Sequence, residues 1–443
     1  MSARESIVYY CPRVNWLKLL GPVIAEQARR ASGLAAVVVV PVAPLADYAG
    51  KNRTIAAGLF LDQVRAELPD EVELVRADSA AACLEALAVR RARAVVSVGL
   101  SLPPEIRTGV QAPSRARGVR WCSLGYIYEE LLQVALEGVQ VLDDWDVPTT
   151  FTQTAVDRLA ELLAEHGVAG GERVAAFRPI GFVECDQVAG FDRKALRAKY
   201  GLPEDRRVIC FATSPPFPSL RAASPAMRWL FRQPWYRGRA MTGAAAALWR
   251  GRWPDVDAVA GYRDILSELR RFADRHGAIL VGKTRGKHED PGYVGRAMDR
   301  FLGDGAFHPF RTLELLHAAD FYVGMYSSTA FEAAFVGRPM LTIVPFPPEL
   351  VEHPFFFQLK RDFFFGAPGI WNTPGVSELA HTWSRRGFAA FAEWARRAPF
   401  PAGVDAAARS ALVERTLGFD DFKASARFLD LVEGAIGREG RAR

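Results

Sequence analysis

The segment from Leu313 to Pro347 carries polar residues in a pattern that suits a phosphate group. Three consecutive hydroxyl side chains, Ser327–Thr329, follow the apolar run 321–325 and precede an alanine-rich stretch. The apolar run predicts a buried parallel strand, and the hydroxyl residues predict the start of a helix. A helix start favours an anion because its first N–H groups have no partners within the helix. We therefore predict that Ser327, Ser328 and Thr329 bind phosphate.

One turn further along, Glu332 is the only charged residue of a helix that is otherwise apolar on almost every side. Such a helix is typically buried, and a buried carboxylate needs hydrogen-bond donors. The hydroxyls of a ribose or another sugar would supply them. Phosphate at the helix start and a diol one turn along together indicate a nucleoside diphosphate. The alternative is a capped core helix in which Glu332 is paired with a basic side chain or lies at the surface.

Other polar residues follow, or lie close to, neighbouring predicted strands. Lys283 and Arg285 come at the end of the strand 278–281, where they could bind phosphate. Ser214 follows another strand and could face the same ligand, while His308 could contact a base or the phosphates. The alternatives are a solvated basic turn, a turn-stabilising serine and a structural histidine.

The whole chain alternates between strand-like and helix-like segments, which predicts parallel sheets with helices on both faces. In the first half the predicted strands are 7–10, 35–40, 72–75, 94–98, 119–122 and 173–177, and the helices are 22–31, 55–67, 79–90, 126–137 and 155–166. In the second half the strands are 208–212, 278–281, 321–325 and 340–344, and the helices are 193–200, 258–276, 293–302, 313–319, 376–383, 388–397 and 422–436. No GxGxxG follows the first strand, so a dinucleotide site is not indicated.

The segment YSSTAFEAAFVGRPML, residues 326–341, resembles the donor-binding segment of glycosyltransferases of the GT-B fold. Relatives with the same segment include capsule-polysaccharide transferases, CDP-glycerol glycerophosphotransferases and non-hydrolysing nucleotide-sugar 2-epimerases. The resemblance implies two Rossmann-like domains that face each other across a cleft, with a C-terminal helix that crosses back to the first domain. It also implies that Ser327–Thr329 hold the diphosphate of a nucleotide-activated donor and that Glu332 holds its ribose.

Residues 151–186 resemble the end of a GT-B N-terminal domain, which sets the predicted boundaries. We expect an acceptor domain at 1–186, a nucleotide-donor domain at 187–420, and a crossing helix and tail at 421–443. Residues 216–257, rich in Arg and Trp, are predicted to be an insertion that suits anionic lipid head groups or a sugar or phosphate acceptor. A flap packed on the domain is an equal alternative.

The implied activity is metal-independent transfer of a sugar or related group from a nucleotide-activated donor to a glycan or lipid-linked acceptor. Asn15 and Lys18, after the first strand, are the predicted acceptor-binding residues. Several relatives place a His-Gly after the fifth strand, but this chain has Ser-Leu-Gly-Tyr there, so Glu129, Asp144 and Asp146 are the candidates for the general base. A nucleotide-sugar 2-epimerase and a catalytically silent binding or scaffold protein are the alternatives.

The composition suits anionic ligands or an anionic membrane surface. The 443 residues carry a net charge of +6, which is too weak an excess to indicate nucleic acid. Five scattered cysteines without CxxC spacing indicate a reducing compartment and no zinc site. The chain shows no signal peptide or 20-residue apolar span, so we expect a cytoplasmic enzyme that could contact the inner face of the membrane, with no cofactor.

Overall fold

The computed structural model describes residues 4–13, 16–30, 32–41, 57–126, 128–213, 262–283, 292–302, 311–325, 327–345, 358, 361–366, 368–382 and 384–437. These residues form two compact units. Unit 1 contains the described residues of Met1–Ala189 and Glu414–Arg443, and unit 2 contains those of Gly190–Asp304 and Arg311–Val413. Among the described helices, none is long and apolar enough to cross a membrane.

Unit 1 is built on a sheet of seven parallel strands in the order β3-β2-β1-β4-β5-β6-β7. The strands are β1 (Ser6–Tyr10), β2 (Ala35–Pro41), β3 (Glu73–Ala77), β4 (Ala92–Val98), β5 (Arg120–Leu124), β6 (Val147–Thr150) and β7 (Arg178–Pro179). The α-helices are α1 (Leu17–Arg29), α2 (Ala57–Ala66), α3 (Ala80–Val89), α4 (Pro104–Ile106), α5 (Ala112–Arg115), α6 (Glu129–Glu137) and α7 (Gln153–Glu165). The strand order reverses between β1 and β4, as in Rossmann-type sheets.

Unit 2 repeats this arrangement with six parallel strands in the order β10-β9-β8-β11-β12-β13. The strands are β8 (Val208–Ala212), β9 (Ile279–Lys283), β10 (Arg300–Leu302), β11 (Phe321–Met325), β12 (Met340–Val344) and β13 (Ser377–His381). The helices are α8 (Arg193–Lys199), α9 (Tyr262–Arg275), α10 (Gly292–Arg296), α11 (Arg311–Ala318), α12 (Thr329–Val336) and α13 (Arg385–Arg397). The next helix, α14 (Ala406–Leu417), crosses from unit 2 into the last part of unit 1, and α15 (Ala424–Gly437) belongs to unit 1. Here the order reverses between β8 and β11.

The last helix returns to unit 1, as predicted. Phe428, Leu429 and Val432 of α15 are fully buried in the same core as Ile7 of β1 and Leu20 of α1. Asp186 fixes the start of this helix, because its carboxylate accepts hydrogen bonds from the N–H groups of the first two residues of α15, at 3.2 and 2.6 Å. The chain therefore closes on unit 1 through a capped, core-packed helix.

Replacing Asp186 with asparagine is expected to stabilise the protein more at pH 7 than at pH 4. Burial raises the pKa of Asp186 above its ordinary value. The stability contributed by this carboxyl group is therefore greatest below its unfolded pKa and falls as the pH rises through the raised folded pKa. Asparagine caps a helix as well as aspartate does but does not titrate. Urea unfolding of both proteins at several pH values measures the difference.

Asp421→Asn is the matched control with the opposite sign. An ion pair with Arg427 lowers the pKa of Asp421, so the wild-type group adds stability that is lost as the pH falls. The free energy of unfolding of the Asp421→Asn variant should therefore fall further below that of the wild type as the pH rises. A difference between the Asp186 variant and the wild type that does not change with pH would contradict the assignment of a burial-raised pKa.

Several predicted elements are wrong, and for two of them pairing with an adjacent strand overrides the local pattern. Residues 293–302 are not one helix: α10 ends early and β10 pairs with β9, where Met298 and Phe301 pack against Gly282. The predicted helix 376–383 is the strand β13, which pairs along β12. The predicted strand 173–177 belongs to a 3-10 helix, Gly171–Ala176. The first helix begins at Leu17, so Pro22 lies inside it and not in its first turn.

Candidate functional site

The predicted phosphate-binding residues lie where the sheet of unit 2 reverses its strand order. Ser327 follows β11 and Thr213 follows β8, and these two strands are neighbours at the reversal. Open α/β sheets bind ligands at this position, outside the carboxyl ends of the strands. The N–H and the hydroxyl of Thr213 both donate to the carbonyl oxygen of Lys283 at 3.0 Å, which ties the ends of β8 and β9 together.

Ser327, Ser328 and Thr329 form a turn that we call the serine turn. Its cap differs from the simple prediction, because the hydroxyl of Ser328 makes no capping bond. Instead, the Ser327 hydroxyl accepts the N–H of Thr329 at 3.2 Å and donates to the Thr329 hydroxyl at 3.0 Å. The next two N–H groups, of Ala330 and Phe331, donate to carbonyl oxygens of the turn.

This bonding changes how the serine turn could hold an anion. The first N–H groups of α12 already donate to oxygen atoms of the turn. They are therefore less available as hydrogen-bond donors to an anion than the sequence suggests. The helix dipole and the half-buried hydroxyls of Ser328 and Thr329 remain. An anion at this position would therefore depend strongly on a nearby cation.

Lys283 is that cation, and the sheet register places it on the same face as α12. Lys283 pairs with Ala212, Ala212 pairs with Gly324, and Gly324 pairs with Thr342. Paired residues of neighbouring strands point to the same face, so these four residues form one row across the sheet, which we call the switch-point row. The opposite face packs on α9 and α13, whereas the helices α11 and α12 cover the face of the row. The row has two small residues in its middle, between a lysine and a threonine.

Glu332 lies in the first turn of α12 and is 6% exposed, close to the 7% of Lys283. It follows Ser328 by four residues and Thr329 by three, so the carboxylate shares a side of the helix with both hydroxyl residues. A buried carboxylate, a buried ammonium and two accessible hydroxyls thus lie at one edge of one sheet. The prediction that Glu332 is buried is correct, and the serine turn is not sealed inside the core.

An aromatic cluster packs against the start of α12 and holds the serine turn in place. Phe331 contacts Phe364 with ring centroids 5.1 Å apart, and Phe364 contacts Trp371 at 4.8 Å. The indole N–H of Trp371 donates to the carbonyl oxygen of Ser327 at 3.4 Å. Phe364 therefore contributes core packing beside the turn.

Four of the predicted site residues lie outside the described residues: Ser214, Arg285, His308 and Asn15. The insertion 216–257 lies outside them as well, and so does the side chain of Glu129. Within the part of the chain that is described, no group of three or more His, Cys, Asp or Glu side chains is arranged to hold a metal ion.

In unit 1, Lys18 forms an ion pair with Glu184 at 2.7 Å, and its ammonium lies 5.4 Å from the centre of the Tyr126 ring. Glu130, which the sequence alone does not single out, is fully buried after β5. Its carboxylate accepts the N–H of Tyr126 at 2.9 Å and the hydroxyl of Thr150 at 2.7 Å. The local sequence could not distinguish Glu129 from Glu130, because the choice depends on where α6 begins.

Asp144 does not lie with these residues. It ends the 3-10 helix Val139–Asp144 before β6, and so lies at the amino edge of the sheet. Its carboxylate is 4.0 Å from the guanidinium of Arg107. This position before a strand argues against a role for Asp144 as general base.

Comparison with known proteins identifies the fold. No family model and no curated protein sequence matches this chain. Among solved structures, the UDP-GlcNAc 2-epimerase from Neisseria meningitidis bound to UDP-GlcNAc has a TM-score of 0.55 and 10% identity, covering 97% of this chain and 100% of that one. A variant of the wall teichoic acid polymerase TagF has a TM-score of 0.53 and 12% identity, covering 100% and 91%. The S. aureus MnaA–UDP structure has a TM-score of 0.51 and 12% identity, covering 98% and 97%.

At these identities the similarity concerns the fold alone. It confirms the fold that the resemblance implied, since the structural neighbours are GT-B-type enzymes, among them 2-epimerases and TagF. The chain has two Rossmann-like α/β units, as those enzymes do.

Proposed function

We propose that this protein is a glycosyltransferase that moves a sugar or related group from a nucleotide-activated donor to an acceptor in glycan or cell-envelope biosynthesis. The observation that supports it most is the convergence of Lys283, Glu332 and the serine turn on one face at the strand-order reversal of unit 2. A cation, a carboxylate and hydroxyls in this arrangement match the diphosphate and ribose of one nucleotide.

In this mechanism the donor binds with its diphosphate between Lys283 and the serine turn. Negative charge develops on the diphosphate as the bond to the sugar breaks. A buried ammonium and the amino end of α12 stabilise that charge, and they do so more strongly than in water because the site is largely dry. Arg285 would add a second cation, so the proposal requires no metal ion. Glu332 accepts hydrogen bonds from the ribose hydroxyls and orients the nucleotide.

The acceptor side of the reaction is assigned to residues of unit 1. Asn15 and Lys18 remain the proposed acceptor-binding residues, and the acceptor is a glycan or a lipid-linked glycan. The ion pair of Lys18 with Glu184 offers both a donor and an acceptor of hydrogen bonds to such a molecule. Glu129 remains a candidate for the general base. Contact with a membrane surface through residues 216–257 is part of the same proposal.

A nucleotide-sugar 2-epimerase is the second candidate. An epimerase needs several acid–base groups beside the sugar. Unit 1 offers the buried carboxylates Glu130 and Glu184 after β5 and β7, two groups that a simple transferase would not require. A catalytically silent protein that only binds a nucleotide is the third possibility.

An assay with and without acceptor separates these functions. We expect UDP-, GDP- or CDP-linked sugars to release their nucleotide when a cell-envelope extract supplies an acceptor, and we expect no 2-epimer to form without it. Chromatography of labelled donors measures both products. Accumulation of a 2-epimer without acceptor would show that the protein is an epimerase and would contradict the proposed transferase activity. Binding of a nucleotide sugar without formation of either product would support the third function, a catalytically silent binding protein.

A further inference from the structure

Unit 1 has a cavity of about 420 Å³ that none of the residues discussed as the nucleotide site lines. Its walls come from α1, the 3-10 helix Val183–Gly190 and the residues around the start of α15. Small apolar side chains line part of it: Pro22, Ala25 and Ala426. A volume of this size lies within the range of small-molecule sites, which combine apolar walls with a few polar groups.

Phe422 supplies the aromatic side chain of this cavity and has a strained backbone. Its φ is +53°, a conformation that bulky residues rarely adopt. The residue is also 38% exposed, so packing in the core returns little of the cost of the strain. Strain of this kind is typical of positions that serve a ligand. An aromatic ring presented to a ligand would explain why the chain keeps it.

The charged groups that line the cavity balance each other. Glu26 and Asp186 supply two carboxylates, and the first of them pairs with Arg29. Arg29 and Lys423 supply two cations. An anionic ligand would meet the two carboxylates, and a cationic ligand would meet the two cations. Gln187 adds an amide that both donates and accepts hydrogen bonds. The lining therefore suits an uncharged ligand with several hydroxyl groups.

The cavity continues along the side of α1 that carries Lys18. Lys18, Pro22 and Ala25 are spaced by four and three residues, so they lie on one side of the helix. Ala25 is roughly 10 Å further along the helix axis than Lys18, at 1.5 Å per residue. Glu184 pairs with Lys18, and Asp186 follows Glu184 by two residues. The cavity and the ion pair therefore share two elements of unit 1.

We propose that this cavity binds one sugar residue of an uncharged oligosaccharide acceptor whose end lies at Lys18. The ring of Phe422 packs against the apolar face of the sugar. Gln187 and Lys423 form hydrogen bonds with its hydroxyl groups. This inference rests on the proposed function, since it takes the acceptor to be a glycan, and it names the class of glycan that the protein accepts.

The test is binding of oligosaccharides to the full chain, with no turnover required. An array of uncharged oligosaccharides, and of acidic ones that carry uronic acid or phosphate, identifies the glycans that bind. Titrations followed by saturation-transfer NMR then give their affinities. We expect uncharged members of three or more sugar residues to bind at least about 10-fold more tightly than acidic members of the same length.

Variants of the cavity should lose this affinity. Phe422→Ala should weaken binding of the tightest uncharged oligosaccharide by about 10-fold or more, because the aromatic surface is lost. Gln187→Met keeps the shape of the side chain and should weaken it by about 3- to 10-fold, the scale of a lost neutral hydrogen bond. Phe422→Gly adopts the positive φ without strain and carries the test if the alanine variant does not fold.

Phe419→Ala is the matched control. Phe419 lies three residues earlier in the same loop and is 37% exposed, but its ring contacts the guanidinium of Arg427 at 3.8 Å and is not among the residues that line the cavity. Its replacement should leave the oligosaccharide affinity unchanged. An equal loss in Phe419→Ala and Phe422→Ala would show that the loop matters for the fold alone and would overturn the inference.

The other outcomes separate this inference from the proposed function. Binding of no uncharged oligosaccharide, tighter binding of the acidic ones, or full affinity in both Phe422 variants would overturn the inference and leave the proposed transferase standing. Nucleotide affinity should be unchanged in the Phe422 variants, because the proposed nucleotide site consists of unit 2 residues. A wild-type chain that binds no nucleotide or nucleotide sugar would overturn the proposed function, whatever the oligosaccharide result.

Discussion

Glu332→Ala weakens nucleoside diphosphate binding by about 1–3 kcal/mol if Glu332 holds the ribose, because the variant loses charge-assisted hydrogen bonds to two hydroxyls. The carboxylate lies in the first turn of α12 and is largely buried, so solvent screens these bonds little. Glu332→Gln keeps one acceptor oxygen and should lose less. Isothermal calorimetry with the tightest nucleoside diphosphate measures the loss.

Inorganic pyrophosphate is the matched control ligand for this variant, because it has phosphates and no ribose. Its affinity should be unchanged or higher in Glu332→Ala, since a negative charge near the anion has been removed. Glu268→Gln is the matched control protein: Glu268 is a buried glutamate of α9, on the other face of the sheet, paired with Arg271. An equal loss of pyrophosphate affinity in Glu332→Ala would show that the residue supports the fold of the turn and does not contact ribose.

Lys283→Met should weaken diphosphate and pyrophosphate binding alike, by about 10- to 100-fold. Methionine replaces most of the apolar stem and removes the ammonium. The effect is expected to be large because the first N–H groups of α12 are already bonded within the serine turn, which leaves Lys283 as the main described cation for the phosphates. Titrations with both ligands, at low and moderate salt, measure it.

Lys199→Met removes a cation that pairs with Glu314 elsewhere in unit 2 and serves as the control. The affinity of the Lys199→Met variant for the nucleoside diphosphate and for pyrophosphate should equal that of the wild type. If Lys283→Met kept full affinity while its thermal unfolding matched the wild type, the phosphate site would have to lie elsewhere in the chain.

The strands that position the site could be predicted from the sequence because their local signals agree with the fold. β8, β11 and β12 are short apolar runs, each buried along its whole length. Gly337 ends α12 with a φ of +71°, a conformation that glycine adopts without strain. The strand-to-helix unit around the serine turn therefore follows from its residues.

The edge strands could not be predicted in this way. β10 has three residues, and β13 begins with Ser377 and Glu378, so neither shows an apolar run. Each forms because an adjacent strand offers unpaired backbone groups, which is information that the local sequence does not contain. The same limit explains the helix predicted at 376–383.

The predicted site was incomplete for a related reason. Lys283, Glu332 and the serine turn are chemically distinctive and could be identified individually. Their relative position depends on the register that aligns Lys283 with Ala212 and Gly324, which involves three strands and is not defined by the local sequence. The choice between Glu129 and Glu130 likewise depended on a helix boundary that the sequence did not define.

The most direct test of the account is a calorimetric titration of the wild-type chain with UDP, GDP, CDP and CMP. We expect at least one of these nucleotides to bind with a stoichiometry of one per chain, and we expect pyrophosphate to compete with it. No binding by any of the four, or binding that both Glu332→Ala and Lys283→Met leave unchanged, would contradict the claim that the edge of the unit 2 sheet is a nucleotide site.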